Sequence, residues 1–211
     1  MGMNCVFKMD ANIVMLGTGN VGKSALTVRF LTRRFIGEYG HIESIYSHNV
    51  LVDGRETAFN IWDAPCSQCC ESSRQEKQAQ WADGFILVYS ICDRASFNAV
   101  ARMVPHIRAA RDHAGAEKVP IVIVGNKRDL HHYRTVSSEE GRLLALGTDC
   151  QFYEVSAAEN YHGVLMVFHG LAERIREARA AGRKPAAAAA GIKGIVKSMS
   201  AVFARKRTES L

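Results

Sequence analysis

The residues most able to do chemistry lie near the start of the chain, in Gly17-Thr-Gly-Asn-Val-Gly22-Lys23-Ser24. The spacing fits GxxxxGK[ST], and the run follows the apolar stretch Asn12–Leu16 and precedes a helix-forming segment. A polyphosphate needs this arrangement. Successive backbone N–H groups and the positive end of a helix surround the anion, and glycines let the main chain approach without a Cβ. Gly17, Gly19, Asn20, Val21, Gly22, Lys23, Ser24 and Ala25 are therefore candidate phosphate-cradle residues. Lys23 would bridge the β- and γ-phosphate oxygens, and Ser24 would offer its hydroxyl to Mg²⁺, which takes hard oxygen ligands.

Phosphate binding names no base. A second constellation does: Asn126-Lys127-Arg128-Asp129 follows the apolar run Ile121–Gly125 and matches the NKxD element of GTPases. The Asp129 carboxylate can accept from guanine N1–H and the 2-amino group, whereas adenine would leave that acceptor unsatisfied. Ser156-Ala157-Ala158, at the end of the next apolar run, resembles the loop whose backbone N–H reaches guanine O6. Phe35, after the first helical segment, resembles by position the aromatic that small GTPases set edge-on against the base. The ligand expected is GTP or GDP with Mg²⁺.

Positioning these groups requires strands that end beside one another. Short β-rich runs alternate with longer helix-period segments, as in an α/β fold with a mostly parallel sheet. Strands are expected at 12–16, 48–52, 57–63, 85–90, 121–125 and 151–155, giving a six-stranded sheet with helices on both faces. Asp53-Gly54 reads as a hairpin turn. Phe97, Val100, Ala101, Val104 and Ile107 form one helical stripe, and Val164, Leu165, Phe168, Leu171 and Ile175 another; both read as core. Ser137 with Glu140 is a capping-box signature.

The order of these elements resembles the small GTPases of the Ras family, over residues 10 to about 178. Within it, SALTVRFLTRRFIGEY (24–39), ESIY, DAPCSQ, WADGF, NKRDL and SAAE are similar to the Ras-related and estrogen-regulated growth inhibitor subgroup, nearest its "-like" branch. The resemblance implies a P-loop guanine-nucleotide domain, effector or regulatory proteins at the switch regions, and Asp63 supporting Mg²⁺ together with Ser24.

The departures from that family fall on catalytic parts. The first-switch segment Tyr39-Gly40-His41-Ile42-Glu43-Ser44 lacks the family's threonine and is one residue short, and Ser44 replaces it poorly by position. Pro65-Cys66 stands where the family has its γ-phosphate-sensing glycine, and proline fixes φ. The water-orienting glutamine would fall on Ser67, leaving Gln68, one residue late, as the catalytic candidate beside Lys23. Two readings stay open: a GTPase that is slow or depends on a partner, and a pseudo-GTPase that binds nucleotide as an interaction module.

Length and composition set the remaining bounds. The 211 residues, 47% hydrophobic and 23% charged, suffice for one domain and a tail. The expected division is an N-terminal extension (1–9), the nucleotide-binding domain (10–181), an Ala-rich linker (182–190) and a tail (191–211). Of 27 Lys/Arg and 21 Asp/Glu, residues 179–211 hold eight and one, so the net +6 divides into a body near −1 and an end near +7. This argues against a domain-wide nucleic-acid face. Ile192, Ile195, Val196, Met199, Val202 and Phe203 share a helical face among basic residues, so the tail reads either as a dock for anionic membrane or partner, or as a solvated basic tail.

The C-terminal Arg-Thr-Glu-Ser-Leu211 carries no cysteine for prenylation, and Val6 stands where myristoylation from Gly2 wants Ser or Thr. A cytoplasmic location is expected, with any membrane contact peripheral. The six cysteines read as reduced. Cys66 and Cys69 have the gap of half a zinc site without a second pair, and with Cys70 they leave a redox overlay on the second switch open.

Overall fold

In the computed structural model, the residues described are 9–36, 44–52, 54–64, 72–113 and 118–182. The strands are β1 (Met9–Leu16), β2 (Ser44–Val52), β3 (Arg55–Asp63), β4 (Gly84–Ser90), β5 (Ile121–Asn126) and β6 (Gln151–Glu154). The α-helices are α1 (Lys23–Thr32), α2 (Ser72–Trp81), α3 (Arg94–His113), α4 (Ser138–Gly147) and α5 (Tyr161–Gly182), with a 3₁₀ segment at Arg128–Tyr133. One six-stranded sheet runs in the order β2-β3-β1-β4-β5-β6, and only β2 is antiparallel to its neighbour. The α/β architecture expected from the sequence is thereby found.

Most strands extend further than their apolar runs: β1 begins at Met9, β2 at Ser44 instead of His48, β3 at Arg55 instead of Thr57, and β4 and β5 each gain one residue, whereas β6 ends at Glu154, one short of Val155. β2 is an edge strand whose residues alternate between half-buried and exposed, so Ser44, Ser47 and Asn49 are compatible with pairing yet add no apolar signal. The hairpin is as expected, with Gly54 at φ 73° between Val52 and Arg55.

Each face of the sheet buries its own core. On one, α1 and α5 contribute Leu26, Phe30, Val164, Phe168, Leu171 and Ile175 against Ile13, Met15, Phe59 and Ile61. The Phe30 and Phe168 rings stack at 3.9 Å between centroids, and Phe59 meets Phe30 edge-on at 5.3 Å. On the other, Val100, Val104 and Ile107 of α3 cover Val14, Leu87, Ile121 and Ile123. Both expected helical stripes pack in the cores, except that Ala101 is only half-buried. β4 and β5 are buried throughout, as suits strands covered on both faces.

Trp62, just before the end of β3, meets Trp81 at the end of α2 edge-to-face at 5.4 Å. Among the described residues no helix is long and apolar enough to cross a membrane.

The capping box is present in full. The Ser137 hydroxyl accepts from the Glu140 N–H, and the Glu140 carboxylate accepts from the Ser137 N–H. Arg94 of α3 also donates to Glu140, at 2.5 Å. These partners, Arg94 first and then Ser137, hold the Glu140 carboxyl down at about 2, against an ordinary 4.5. A depressed acid stabilises the fold above its unfolded value and loses that contribution as pH falls through the folded one. Glu140→Gln should therefore be less stable than the parent chain above about pH 4.5. The difference should shrink between 4.5 and about 2, as read from urea unfolding midpoints across that range.

Candidate functional site

Of the expected site residues that are described, all but Phe35 lie at or just beyond the C-terminal ends of β1, β3, β5 and β6, where ligands of open α/β sheets bind. Between β1 and α1 the chain turns through Gly17 (φ 146°), Asn20 (φ 60°) and Gly22 (φ 94°). A Cβ on Gly17 would collide with the Val88 carbonyl, and one on Gly22 with the Asn126 side chain. Both positions therefore need glycine for conformation and for space. Helix α1 starts at Lys23 with no side-chain cap and no acidic residue in its first turn, which leaves its N-terminal N–H groups and positive dipole end to an anion.

The Lys23 side chain folds back over this turn, its Nζ donating to the Gly17 and Thr18 carbonyls at 3.0 and 2.9 Å. Only 8% of the residue is exposed. The ammonium is thus held over the loop that would take the phosphates. Nearby, Asp63 is 4% exposed, and burial pushes its carboxyl up, opposed by a hydrogen bond with Ser24 and by the Lys23 charge. A buried carboxylate beside a hydroxyl is a hard-oxygen pair that suits Mg²⁺, and a neighbouring cation would offset the cost of ionising it. Ser44 pairs with Asp63 at the end of the β2–β3 ladder, which puts its side chain on the same face.

The loops expected to read the base are tied to the expected phosphate loop by one side chain. Asn126, 2% exposed at the end of β5, donates through Nδ2 to the Val21 carbonyl at 2.8 Å. Its Oδ1 accepts from the Ala157 N–H at 3.2 Å. Lys127 then takes the left-handed conformation (φ 66°), and the chain enters the 3₁₀ segment that carries Asp129.

Asp129 is oriented from the third loop. The Ser156 hydroxyl donates to Asp129 Oδ1 at 2.6 Å while accepting from the N–H groups of Ala158 and Glu159 at 3.1 and 3.2 Å. In this arrangement the N–H groups of Ala157 and Ala158 already have protein acceptors, so a base carbonyl would share a donor with Asn126 or Ser156. Phe35, after α1, is 46% exposed. Gln68, Cys66, Cys69 and Cys70 lie outside the described residues, as does the tail from residue 183.

Three contributors carry no sequence motif. The half-buried pair Arg134–Glu154 is bidentate at 2.9 and 2.6 Å and joins the end of the 3₁₀ segment to the end of β6. This pairing holds Glu154 below the usual carboxylate range. Arg29 of α1 donates to the Glu159 carbonyl at 3.1 Å, and Arg128 to the Glu159 carboxylate at 3.3 Å. Such pairs join residues 20 to 130 apart, and no local spacing announces them. Among the described residues no cluster of three His, Cys, Asp or Glu side chains could hold a metal unaided.

The Ras family profile matches residues 12–177 of the chain. The chain belongs to the Ras family. It is 44% identical to the bovine (Bos taurus) Ras-related and estrogen-regulated growth inhibitor-like protein over 163 residues, 75% of this chain and 79% of the relative. It is 40% identical to human (Homo sapiens) Ras-like protein family member 11A over 173 residues, 79% and 70% of the two chains. With Ras-like protein family member 11B of Danio rerio the identity is 38% over 174 residues, covering 80% and 70%. The resemblance drawn from the motifs is confirmed, and membership makes this a GTP-binding, P-loop protein of a family of signalling hydrolases. Members of that family bind GDP or GTP with Mg²⁺ and engage effector or regulatory proteins.

Asn126→Ala should cut the link between phosphate loop and base loops and leave the Val21 carbonyl and Ala157 N–H unpaired. A cost of about 2–3 kcal/mol is expected, as for buried polar groups left without partners. Thermal unfolding with and without GDP should show a lower midpoint and a smaller GDP-induced rise than in the parent chain.

Proposed function

We propose that this Ras-family chain binds GDP and GTP with Mg²⁺ and hydrolyses GTP slowly or only with a partner's help. The observation that carries the proposal is the Asn126 bridge, which joins the Lys23–Ser24 phosphate loop to the Asp129 and Ser156 base-reading elements. In this reading Gly17 to Ala25 cradle the phosphates, and Asp129 reads the guanine N1–H and 2-amino edge. Ser156 holds that carboxylate in place, Ala157 and Ala158 lend N–H groups to O6, and Lys127 and Phe35 flank the base. Ser24 and Asp63 would hold Mg²⁺, which when bound neutralises phosphate charge.

Lys23, withdrawn to two carbonyls in this structure, would exchange them for β- and γ-phosphate oxygens. The slow step follows from the second-switch sequence. With Ser67 at the place of the water-orienting glutamine, Gln68 is the side chain left for that role, and in-line placement of water is the main thing such an enzyme supplies. A pseudo-GTPase is favoured by the same substitutions together with the missing first-switch threonine. The location proposed is cytoplasmic. Effector or regulatory proteins would meet the switch regions, and the +7 end supports contact with an anionic surface.

Three measurements test this. GTP should displace bound labelled GDP at least a hundredfold better than ATP, and equal competition would end the guanine reading. Asp129→Asn should reverse the preference toward xanthine nucleotides, whose 2-carbonyl accepts where guanine's 2-amino group donates. In single-turnover assays with GTP and Mg²⁺, conversion to GDP faster than in Lys23→Ala supports the enzyme. GTP retained unchanged supports the pseudo-GTPase.

A further inference from the structure

The exposed ion pair at Glu159 belongs to a closed ring that includes Asp129. The Glu159 N–H donates to Ser156 Oγ, which donates to Asp129 Oδ1. Asp129 is bonded through the chain to Arg128, whose Nη2 donates back to the Glu159 carboxylate at 3.3 Å. Any shift of Glu159 therefore reaches Asp129 through two hydrogen bonds on one side and, on the other, through the ion pair to Arg128 and one peptide unit. The Arg128 N–H, donating to the Val155 carbonyl at 3.1 Å, seats the ring on the end of β6.

A second cation ties the ring to the phosphate side. Arg29 lies six residues beyond Lys23 on α1, and its Nη2 donates to the Glu159 carbonyl at 3.1 Å. One turn further on, Arg33 leaves α1 in the left-handed conformation with its guanidinium 5.3 Å from the Tyr161 ring centroid. Three arginines, one from α1, one from its C-cap and one from the base-reading turn, thus converge on residues 159–161.

We propose that Glu159, Arg128 and Arg29 form a clamp that positions Asp129 on the guanine edge and slows release of the nucleotide. These are positioning residues, and the inference rests on the guanine-nucleotide reading above. The side chains of Arg128 and Glu159 are 51% and 46% exposed, so the pair is weak and sensitive to salt. Its effect falls on the rate at which the base loop opens, not on whether the domain folds.

The test is release of ribose-labelled GDP into excess unlabelled GDP, followed by fluorescence for the parent chain, Glu159→Gln and Arg29→Gln. At low ionic strength both variants should release about three- to fivefold faster, the range that an exposed ion pair (Glu159→Gln) or one hydrogen bond from a guanidinium to a carbonyl (Arg29→Gln) can supply. At about 1 M salt the parent rate should rise toward that of Glu159→Gln, because charges a few ångströms apart are then screened. The affinity ratio of GDP to inosine diphosphate, which lacks the 2-amino donor, should fall in both variants. A purely structural role would lower the melting temperature and leave that ratio unmoved.

Release rates equal to the parent's in both variants, or faster release with an unchanged ratio, would overturn the clamp alone. A parent chain that retains no guanine nucleotide would overturn the underlying reading and the clamp with it.

Discussion

The organisation of the site depends on a single buried amide. Asn126 satisfies a donor and an acceptor on two loops that are far apart in sequence, and it does so where water is excluded. A backbone carbonyl and N–H left unpaired in such a place are costly, so the two loops hold one mutual geometry. Gly22 has lost its side chain for the same reason, since a Cβ there would occupy the volume of the Asn126 amide. The Gly17–Ser24 loop and the Asn126–Asp129 turn are thus shaped around each other.

From that constraint the polar layers spread outward. Ser156 orients Asp129, Arg134 and Glu154 close the 3₁₀ segment against β6, and Glu159 gathers arginines from α1 and from the turn itself. Asn126 and Ser156 are buried and neutral, Asp129 and the Arg134–Glu154 pair are charged and half-buried, and the Arg128–Glu159 pair is charged and exposed. Such a gradient places strong, geometry-defining bonds around Asn126 and weak, tunable ones at the rim.

What was legible in the sequence is what local periodicity and spacing encode. The phosphate loop, the Asn126–Asp129 turn, the capping box at Ser137 and the apolar stripes of α3 and α5 each announce themselves within a dozen residues. The extension of β2 back to Ser44 did not, because an edge strand can be built of polar residues once β3 supplies the hydrogen bonds. Nor did the pairing of Ser44 with Asp63, which follows from the register of the hairpin and not from position in the chain. The arginine–glutamate contacts were invisible, since any charged surface residue looks alike until the fold selects its partner.

The edge-to-face contact between Trp62 and Trp81 has a practical consequence. These are the chain's two tryptophans, and they stand at the end of β3 and at the end of α2, on either side of the second-switch sequence. All indole emission therefore arises from one junction. An indole's quantum yield depends on its immediate neighbours, so a change in how α2 lies against β3 alters the intrinsic fluorescence of the whole protein. The chain carries its own optical gauge of that junction, readable without a label.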